Sequence, residues 1–106
     1  RGIAVGPDGA VYVADTGNNV VREIRLLANR IDTFAGTGEA GFRDDVPLLA
    51  QFDRPTDVLV TGDHAVWILD TGNHALRRVD PFRIAVTTLA GTGVPGYDGE
   101  GASAAA

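Results

Sequence analysis

The tetrapeptide Asp-Thr-Gly-Asn occurs twice in this chain of 106 residues, at residues 15–18 and again at residues 70–73. Each copy is followed at the same distance by an arginine, Arg22 in the first case and Arg77 in the second. Carboxylate oxygens are ligands for Ca²⁺, and a guanidinium group binds anions. The plainer interpretation is that Asp and Asn bond their own backbone in a turn while the arginine pairs with the aspartate. We predict this structural role; Ca²⁺ is the cofactor that the pattern leaves open.

The spacing of 55 residues between the two copies is kept along the whole chain. When residues 1–51 are overlaid on residues 56–106, 16 of the 51 positions are identical and no insertion is needed. A fixed period of this length is typical of stacked units that each bury a hydrophobic face against a neighbour. We therefore divide the chain into residues 1–55 and residues 56–106, and we expect it to be a piece of a longer array.

Each unit contains four short segments rich in β-forming residues, separated by turn residues. The predicted strands are residues 2–5, 11–14, 20–25 and 31–35 in the first unit, and residues 58–60, 66–69, 75–80 and 84–90 in the second. Between the second and third strands, Gly17 and Gly72 are predicted to take the left-handed backbone conformation. Four antiparallel strands joined by hairpins form one blade of a β-propeller.

A long connection follows the fourth strand of each unit. Residues 46–52 are predicted to form one or two helical turns with Asp45 as the N-cap, docked through Leu48, Leu49 or Phe52. Residues 103–106 are predicted to be helical at the same place in the second unit. Tyr12 and Trp67 occupy equivalent second-strand positions and are predicted to pack between blades.

The segments Val-Tyr-Val-Ala-Asp-Thr-Gly-Asn-Asn-Val-Val-Arg (residues 11–22) and Val-Trp-Ile-Leu-Asp-Thr-Gly-Asn-His-Ala-Leu-Arg (residues 66–77) both resemble the NHL repeat. That repeat has an apolar strand, an Asp-(Thr/Ser)-Gly-Asn-(His/Asn) turn and an arginine flanked by aliphatic residues. The glycine-rich residues 89–101 are similar to the linker of a long-repeat NHL subtype. The resemblance implies an all-β fold, with two blades of a β-propeller that is usually six-bladed.

Composition argues against several classes of function. The formal charge of −5, from 14 acidic and 9 basic residues, opposes nucleic acid as a partner, including the RNA that some animal NHL propellers bind. The chain has no cysteine, and no apolar run approaches the roughly 20 residues that cross a bilayer, so we expect no membrane partner. His64 and His74 lie in predicted turns without a second ligand at metal-binding spacing. We therefore predict no catalytic residue and no metal ligand.

Acidic residues are concentrated in the two connections. In a propeller, these connections and the turns between second and third strands emerge on one side, which we call the loop face. The candidate binding residues on the loop face are Asp15, Asn18, Asp70, Asn73, Asp44, Asp45, Asp98 and Glu100. The structural residues of the turn motif are Gly17, Arg22, Gly72 and Arg77. A solvated acidic rim is the plainer interpretation of the carboxylates.

Two hypotheses for the function follow. The leading one is a non-enzymatic propeller segment that binds a protein or a small ligand on the loop face, because turns and packing explain all the repeated residues. The alternative is part of a metal-dependent propeller enzyme, of the lyase or lactone hydrolase type, with its site in the central channel. Two blades alone leave open sheet edges and an unburied face. We therefore expect the chain either to self-associate, most simply as three chains closing six blades, or to belong to a larger ring.

Overall fold

The computed structural model describes residues 2–91, which form two four-stranded antiparallel sheets. The first sheet consists of β1 (Ile3–Val5), β2 (Val11–Asp15), β3 (Val20–Arg25) and β4 (Arg30–Ala35). The second sheet consists of β5 (Pro55–Val60), β6 (Val66–Asp70), β7 (Ala75–Val79) and β8 (Val86–Gly91). Within each sheet the strands are neighbours in chain order. The predicted all-β architecture of two propeller blades is therefore confirmed.

Alternation along the strands decides which face of each sheet is buried. In β6, Val66, Ile68 and Asp70 are buried, whereas Trp67 and Leu69 on the other face are more exposed. This period of two places every second side chain on the same face of the sheet. The buried face of the second sheet is directed toward the first sheet, and β5 contacts both β1 and β2.

One hydrophobic cluster joins the two sheets. From the first sheet it includes Tyr12 and Phe34, whose rings lie 5.0 Å apart in an edge-to-face arrangement. From the second sheet it includes Ile68 and Val79, both without exposed surface. Each sheet therefore buries its apolar face against its neighbour, as stacked repeat units do.

The outer faces of the two sheets remain open. On the second sheet, Leu59 and Leu69 are 59% and 47% exposed, and Trp67 is half-buried beneath the guanidinium of Arg78. Tyr12 therefore packs between the blades as predicted, whereas the equivalent Trp67 lies on the outer face. On the first sheet, Val5 is 65% exposed.

The connection between the blades contains a single 3₁₀ helix, Pro47–Leu49, in place of the predicted one or two turns over residues 46–52. The prediction of Asp45 as the N-cap is wrong, because Val46 holds that position and no side chain caps the helix. The segment docks through Phe52, which is fully buried, whereas the leucines at 48 and 49 are about half exposed. The predicted helix at residues 103–106 lies outside the described residues. Across residues 2–91, no helix has the length and apolarity to cross a membrane.

Each Asp-Thr-Gly-Asn turn forms a short 3₁₀ helix, Thr16–Asn18 in the first sheet and Thr71–Asn73 in the second. The left-handed residue is the one that follows it, Asn19 with φ of 59° and His74 with φ of 52°. The prediction that Gly17 and Gly72 take this conformation is therefore wrong. Asn adopts left-handed backbone more readily than most residues because its short polar side chain bonds locally.

Candidate functional site

The second turn is built around a buried ion pair between Asp70 and Arg77. Asp70 ends β6 and Arg77 lies on the adjacent β7, on the same face of the sheet. Neither side chain is exposed, and Arg77 Nη1 lies 2.6 Å from Asp70 Oδ2. The Asn73 amide also donates to Oδ2, at 2.8 Å, and the backbone N–H of Asp53 donates to Oδ1, at 2.8 Å. The ion pair predicted for this motif is therefore present.

The connection between the blades supplies the remaining partners of Arg77. Its Nη1 donates to the carbonyl oxygen of Gln51 at 3.0 Å, and its Nη2 donates to that of Arg43 at 2.8 Å. The Asp44 carboxylate accepts from both Nε and Nη2 through Oδ1, at 3.2 and 2.8 Å. With the bond to Asp70 this makes five hydrogen bonds, which matches the five N–H groups of a guanidinium.

Aromatic rings and a threonine complete this enclosure. The centroids of the Phe42 and Phe52 rings each lie 4.8 Å from Arg77 Cζ, which is cation–π distance. Asp44 also accepts from the backbone N–H and the hydroxyl of Thr88, at 3.1 and 3.0 Å. Asp44 therefore links the connection to both β7 and β8.

Gly72 permits the connection to approach the turn closely. Its N–H donates to the carbonyl oxygen of Asp53 at 2.7 Å. A Cβ atom added at residue 72 would collide with that same carbonyl oxygen. The glycine of the motif is therefore required here for close backbone approach and not for left-handed backbone.

Burial raises the pKa of the Asp70 carboxyl, and the hydrogen bonds from Asn73, from the Asp53 N–H and from Arg77 oppose this rise. A carboxylate removed from water remains charged only with such compensation. The charge of Asp70 therefore depends on the connection as well as on its own sheet.

The first turn has the same residues but is more open. Arg22 Nε lies 3.0 Å from Asp15 Oδ2, yet these side chains are 34% and 29% exposed. Arg22 Nη1 donates to the Thr33 hydroxyl at 2.6 Å, and the Asn18 amide donates to Asp15 at 3.0 Å. The hydrogen bond from Asn18, followed by the effect of Arg22, lowers the pKa of Asp15. A Cβ atom at Gly17 would have open space around it.

The structure groups the candidate residues of the loop face into two sets. Asp44, Asp70 and Asn73 surround Arg77, whereas Asp15 and Asn18 lie together at the first turn. The remaining candidates are Asp45, which pairs with Arg43 at 2.8 Å, and Asp98 and Glu100, which lie outside the described residues. Within residues 2–91, no group of three or more His, Cys, Asp or Glu side chains is arranged to hold a metal ion.

Sequence reasoning did not identify the aromatic enclosure of Arg77. The recurrence of Gly41-Phe42 as Gly96-Tyr97 was a signal for it. The contact of Arg83 with the buried Glu23 of the other sheet, at 2.8 Å, was also missed. It had no signal, because the residue equivalent to Arg83 in the first unit is Ala28.

These paired four-stranded antiparallel sheets, joined by a connection that packs onto the next sheet, are blades of a β-propeller. A family model described as NHL repeat matches residues 1–23. The chain belongs to the NHL-repeat family.

Relatives and a solved structure agree with this assignment. SUPPRESSOR OF QUENCHING 1, chloroplastic, of Arabidopsis thaliana is 32% identical over 79 residues, which make up 74% of this chain and 8% of that protein. NHL repeat-containing protein 2 of Gallus gallus is 32% identical over 91 residues, 86% of this chain and 12% of that protein. The chain thus spans 8 to 12% of the length of these relatives. A Bacteroides thetaiotaomicron protein of unknown function superimposes with a TM-score of 0.74 at 26% identity, over 82% of this chain and 22% of that one.

Proposed function

We propose that this chain is a non-enzymatic segment of an NHL-repeat propeller that presents its loop face to a protein or a small ligand. The observation that carries the proposal is the complete internal pairing of Asp70 and Arg77, which have no exposed side-chain surface. In the second unit, the recurring Asp and Arg are thereby committed to holding the connection on the blade. Binding then falls to exposed residues of the connection, which are not repeated.

The charge of the loop face favours a basic partner. Glu39 is exposed on the connection, and the Asp45 side chain on the same connection, which pairs with Arg43, is 27% exposed. The whole chain carries a formal charge of −5. Rim charges of this kind increase the rate of association with an oppositely charged surface more than they increase affinity.

A cationic peptide of alternating lysine and serine tests this role. We expect it to bind at low ionic strength and to lose affinity severalfold in the Glu39→Gln, Asp45→Asn double variant. Asp63→Asn is the control, because Asp63 is an exposed carboxylate in the β5–β6 turn, at the opposite end of the sheet. Equal losses in the double variant and in the control would contradict a partner site on the loop face.

Calorimetry with CaCl₂ distinguishes this proposal from the metal-dependent alternative. We expect neither heat nor a thermal shift on addition of Ca²⁺. Binding that Asp15→Asn abolishes would contradict the scaffold role. So would turnover of a substrate by the full-length parent protein that is lost when the loop residues of these blades are mutated.

A further inference from the structure

A groove lies between the two sheets, where three parts of the chain meet. The first sheet contributes residues of β3 and β4, the connection contributes Val46 and Pro47, and the β7–β8 turn of the second sheet contributes Arg83. The groove has a volume of about 400 Å³, which is within the size range of ligand sites. We call it the Arg83 groove. Both of its walls belong to this chain, so it is a feature of how two consecutive blades meet.

Arg83 is held firmly at this groove. Its φ of 59° is left-handed, a conformation that costs free energy for a residue with a long side chain and persists only where other contacts hold it. Nη1 and Nη2 donate to the buried Glu23 carboxylate at 3.3 and 2.8 Å, and Nη2 also donates to the Tyr12 hydroxyl at 3.2 Å. The centroid of the Phe34 ring lies 4.9 Å from Arg83 Cζ. The guanidinium is therefore already oriented.

Part of the Arg83 guanidinium remains available to a ligand. Glu23 and Tyr12 occupy its end and Phe34 covers one face, yet the Arg83 side chain is 43% exposed. Its Nε donates to no acceptor within residues 2–91. Arg77, by comparison, lies against two aromatic rings and has no exposed surface. The second face of Arg83 and its Nε–H can therefore receive a ring and a hydrogen-bond acceptor.

We propose that the Arg83 groove binds an aromatic side chain, with tryptophan the best fit, of the protein that docks on the loop face. The ring stacks on the free face of the guanidinium, opposite Phe34, and packs against the exposed Val46. A guanidinium attracts the electron-rich face of an aromatic ring, most strongly that of tryptophan. A backbone carbonyl of the partner accepts from the Nε–H. The indole N–H donates to the Asp32 carboxylate, which lines the groove and is 44% exposed.

The charges around the groove are already paired. Glu23 lies 2.8 Å from Arg83, and Asp32 lies 3.2 Å from Arg30. A small ion gains little net attraction from such a balanced set of charges. A neutral ring needs no excess charge, because stacking and apolar contact supply its affinity. This favours an aromatic group over a charged small ligand.

The place of the groove in the chain connects it to the loop face. Val46 and Pro47 directly follow Asp45, which together with Glu39 forms the acidic surface proposed to bind a basic partner. An extended peptide advances by about 3.3 Å per residue, so a few residues of the partner lead from Asp45 into the groove. The inference thus rests on the proposed function and names the residue with which the partner is anchored.

The test compares the alternating lysine–serine peptide with versions whose central serine is replaced by tryptophan or by leucine. We expect tryptophan to tighten binding about tenfold and leucine to give much less, because only a ring stacks on the guanidinium. Arg83→Lys keeps a cation for Glu23 but removes the planar face, so most of the gain from tryptophan should be lost. Arg78→Lys is the matched control, since Arg78 also lies against one ring, Trp67 at 5.5 Å, but outside the groove.

Two further measurements locate the ring. In ¹⁵N NMR spectra, the Nε–H signal of Arg83 should shift on addition of the tryptophan peptide and not of the lysine–serine peptide. Val46→Trp fills the groove with a side chain of the protein itself and should abolish the gain from tryptophan. This second variant keeps the proposal testable if Arg83→Lys disturbs the contact between the sheets.

Three results would overturn the proposal. These are equal tightening by tryptophan and leucine, equal effects of Arg83→Lys and Arg78→Lys, and binding of free N-acetyltryptophanamide as tight as that of the peptide. The last result would make a small aromatic compound the occupant. Binding of the lysine–serine peptide without any gain from tryptophan would refute the groove and leave the loop-face role standing. A gain from tryptophan that survives in the Glu39→Gln, Asp45→Asn chain, where the lysine–serine peptide no longer binds, would support the groove alone.

Discussion

At the scale of single residues, the same Asp–Arg pair has two very different environments. Asp70 and Arg77 are fully buried, whereas Asp15 and Arg22 are about one-third exposed. A buried ion pair is stable only when the remaining donors and acceptors are also bonded, because desolvation of two charges costs several kcal/mol. Arg77 meets this condition through the connection that covers it.

We predict that Arg77→Lys lowers the free energy of unfolding by about 3 kcal/mol. An ammonium has three donors without the planar arrangement of a guanidinium, so the carbonyls of the connection and one of its carboxylates lose their partners. Arg22→Lys is the matched control, with an expected loss below about 1 kcal/mol because this pair is screened by water. Urea unfolding measures both. Equal losses of stability in the two variants would contradict the conclusion that the buried pair contributes more than the exposed one.

Tyr12 carries a second prediction, for alkaline pH. Burial, followed by the nearby Glu23 carboxylate, raises the pKa of Tyr12 from 10.0 to about 12, and the residue is only 4% exposed. Below pH 10 the tyrosine is neutral in both the folded and the unfolded chain, so its burial contributes fully to stability. Between pH 10 and 12 the unfolded chain loses the proton first. Stability then falls by up to about 3 kcal/mol.

Absorbance at 295 nm in a Tyr97→Phe background measures this titration, because Tyr12 is then the only tyrosine. We expect a midpoint near pH 12 for the folded chain and near 10 in urea. Adding Glu23→Gln lowers the midpoint without restoring 10, since burial is the larger cause. A folded-chain midpoint of 10 would show that Tyr12 is not enclosed between the blades.

At the scale of the elements, the connection is as much a part of the second blade as its strands are. Gly72→Ala forces the Asp53 carbonyl away from the turn. We predict a loss of about 1–3 kcal/mol, the usual cost of overpacking. Gly17→Ala is expected to change stability by less than about 0.5 kcal/mol, because nothing lies within 4 Å of the added carbon. Thermal unfolding of both variants compares them directly, and a larger loss at Gly17 would contradict this account.

The strands were predictable from the sequence, because alternation and turn residues are local signals. Residues 20–25 and 86–91, for example, form strands close to their predicted bounds. The conformation of the turns was not predictable in this way. In the first turn the left-handed residue is Asn19 and not Gly17, and in the second turn Gly72 is needed because the backbone of Asp53 packs closely against it. That packing involves Asp53, which reaches Gly72 only after the chain has crossed between sheets. A pattern confined to one repeat contains no information on such a contact.

At the scale of the whole molecule, an ion pair joins the two blades. Arg83, in the turn before β8, reaches across to Glu23 of the first sheet at 2.8 Å. Glu23 is 5% exposed and the Arg83 side chain is 43% exposed, so salt screens this partly buried pair less than it screens a fully exposed one. On the open face of the second sheet, the residue equivalent to Glu23 is Arg78, and the residue equivalent to Arg83 in the first unit is Ala28.

Two copies of the chain stacked head to tail in this geometry would therefore place Arg78 of one opposite Ala28 of the next. Exposed residues such as Leu59 and Leu69 favour that association, but it lacks the ion pair of the internal interface. We predict that Ala28→Glu strengthens self-association about tenfold at low salt, because it supplies the missing carboxylate. Sedimentation velocity over a concentration series measures the effect, and Ala28→Gln controls for side-chain size. The gain should shrink as ionic strength rises. A gain equal to that of glutamine, or one insensitive to salt, would show that adjacent copies do not repeat the contact between Glu23 and Arg83.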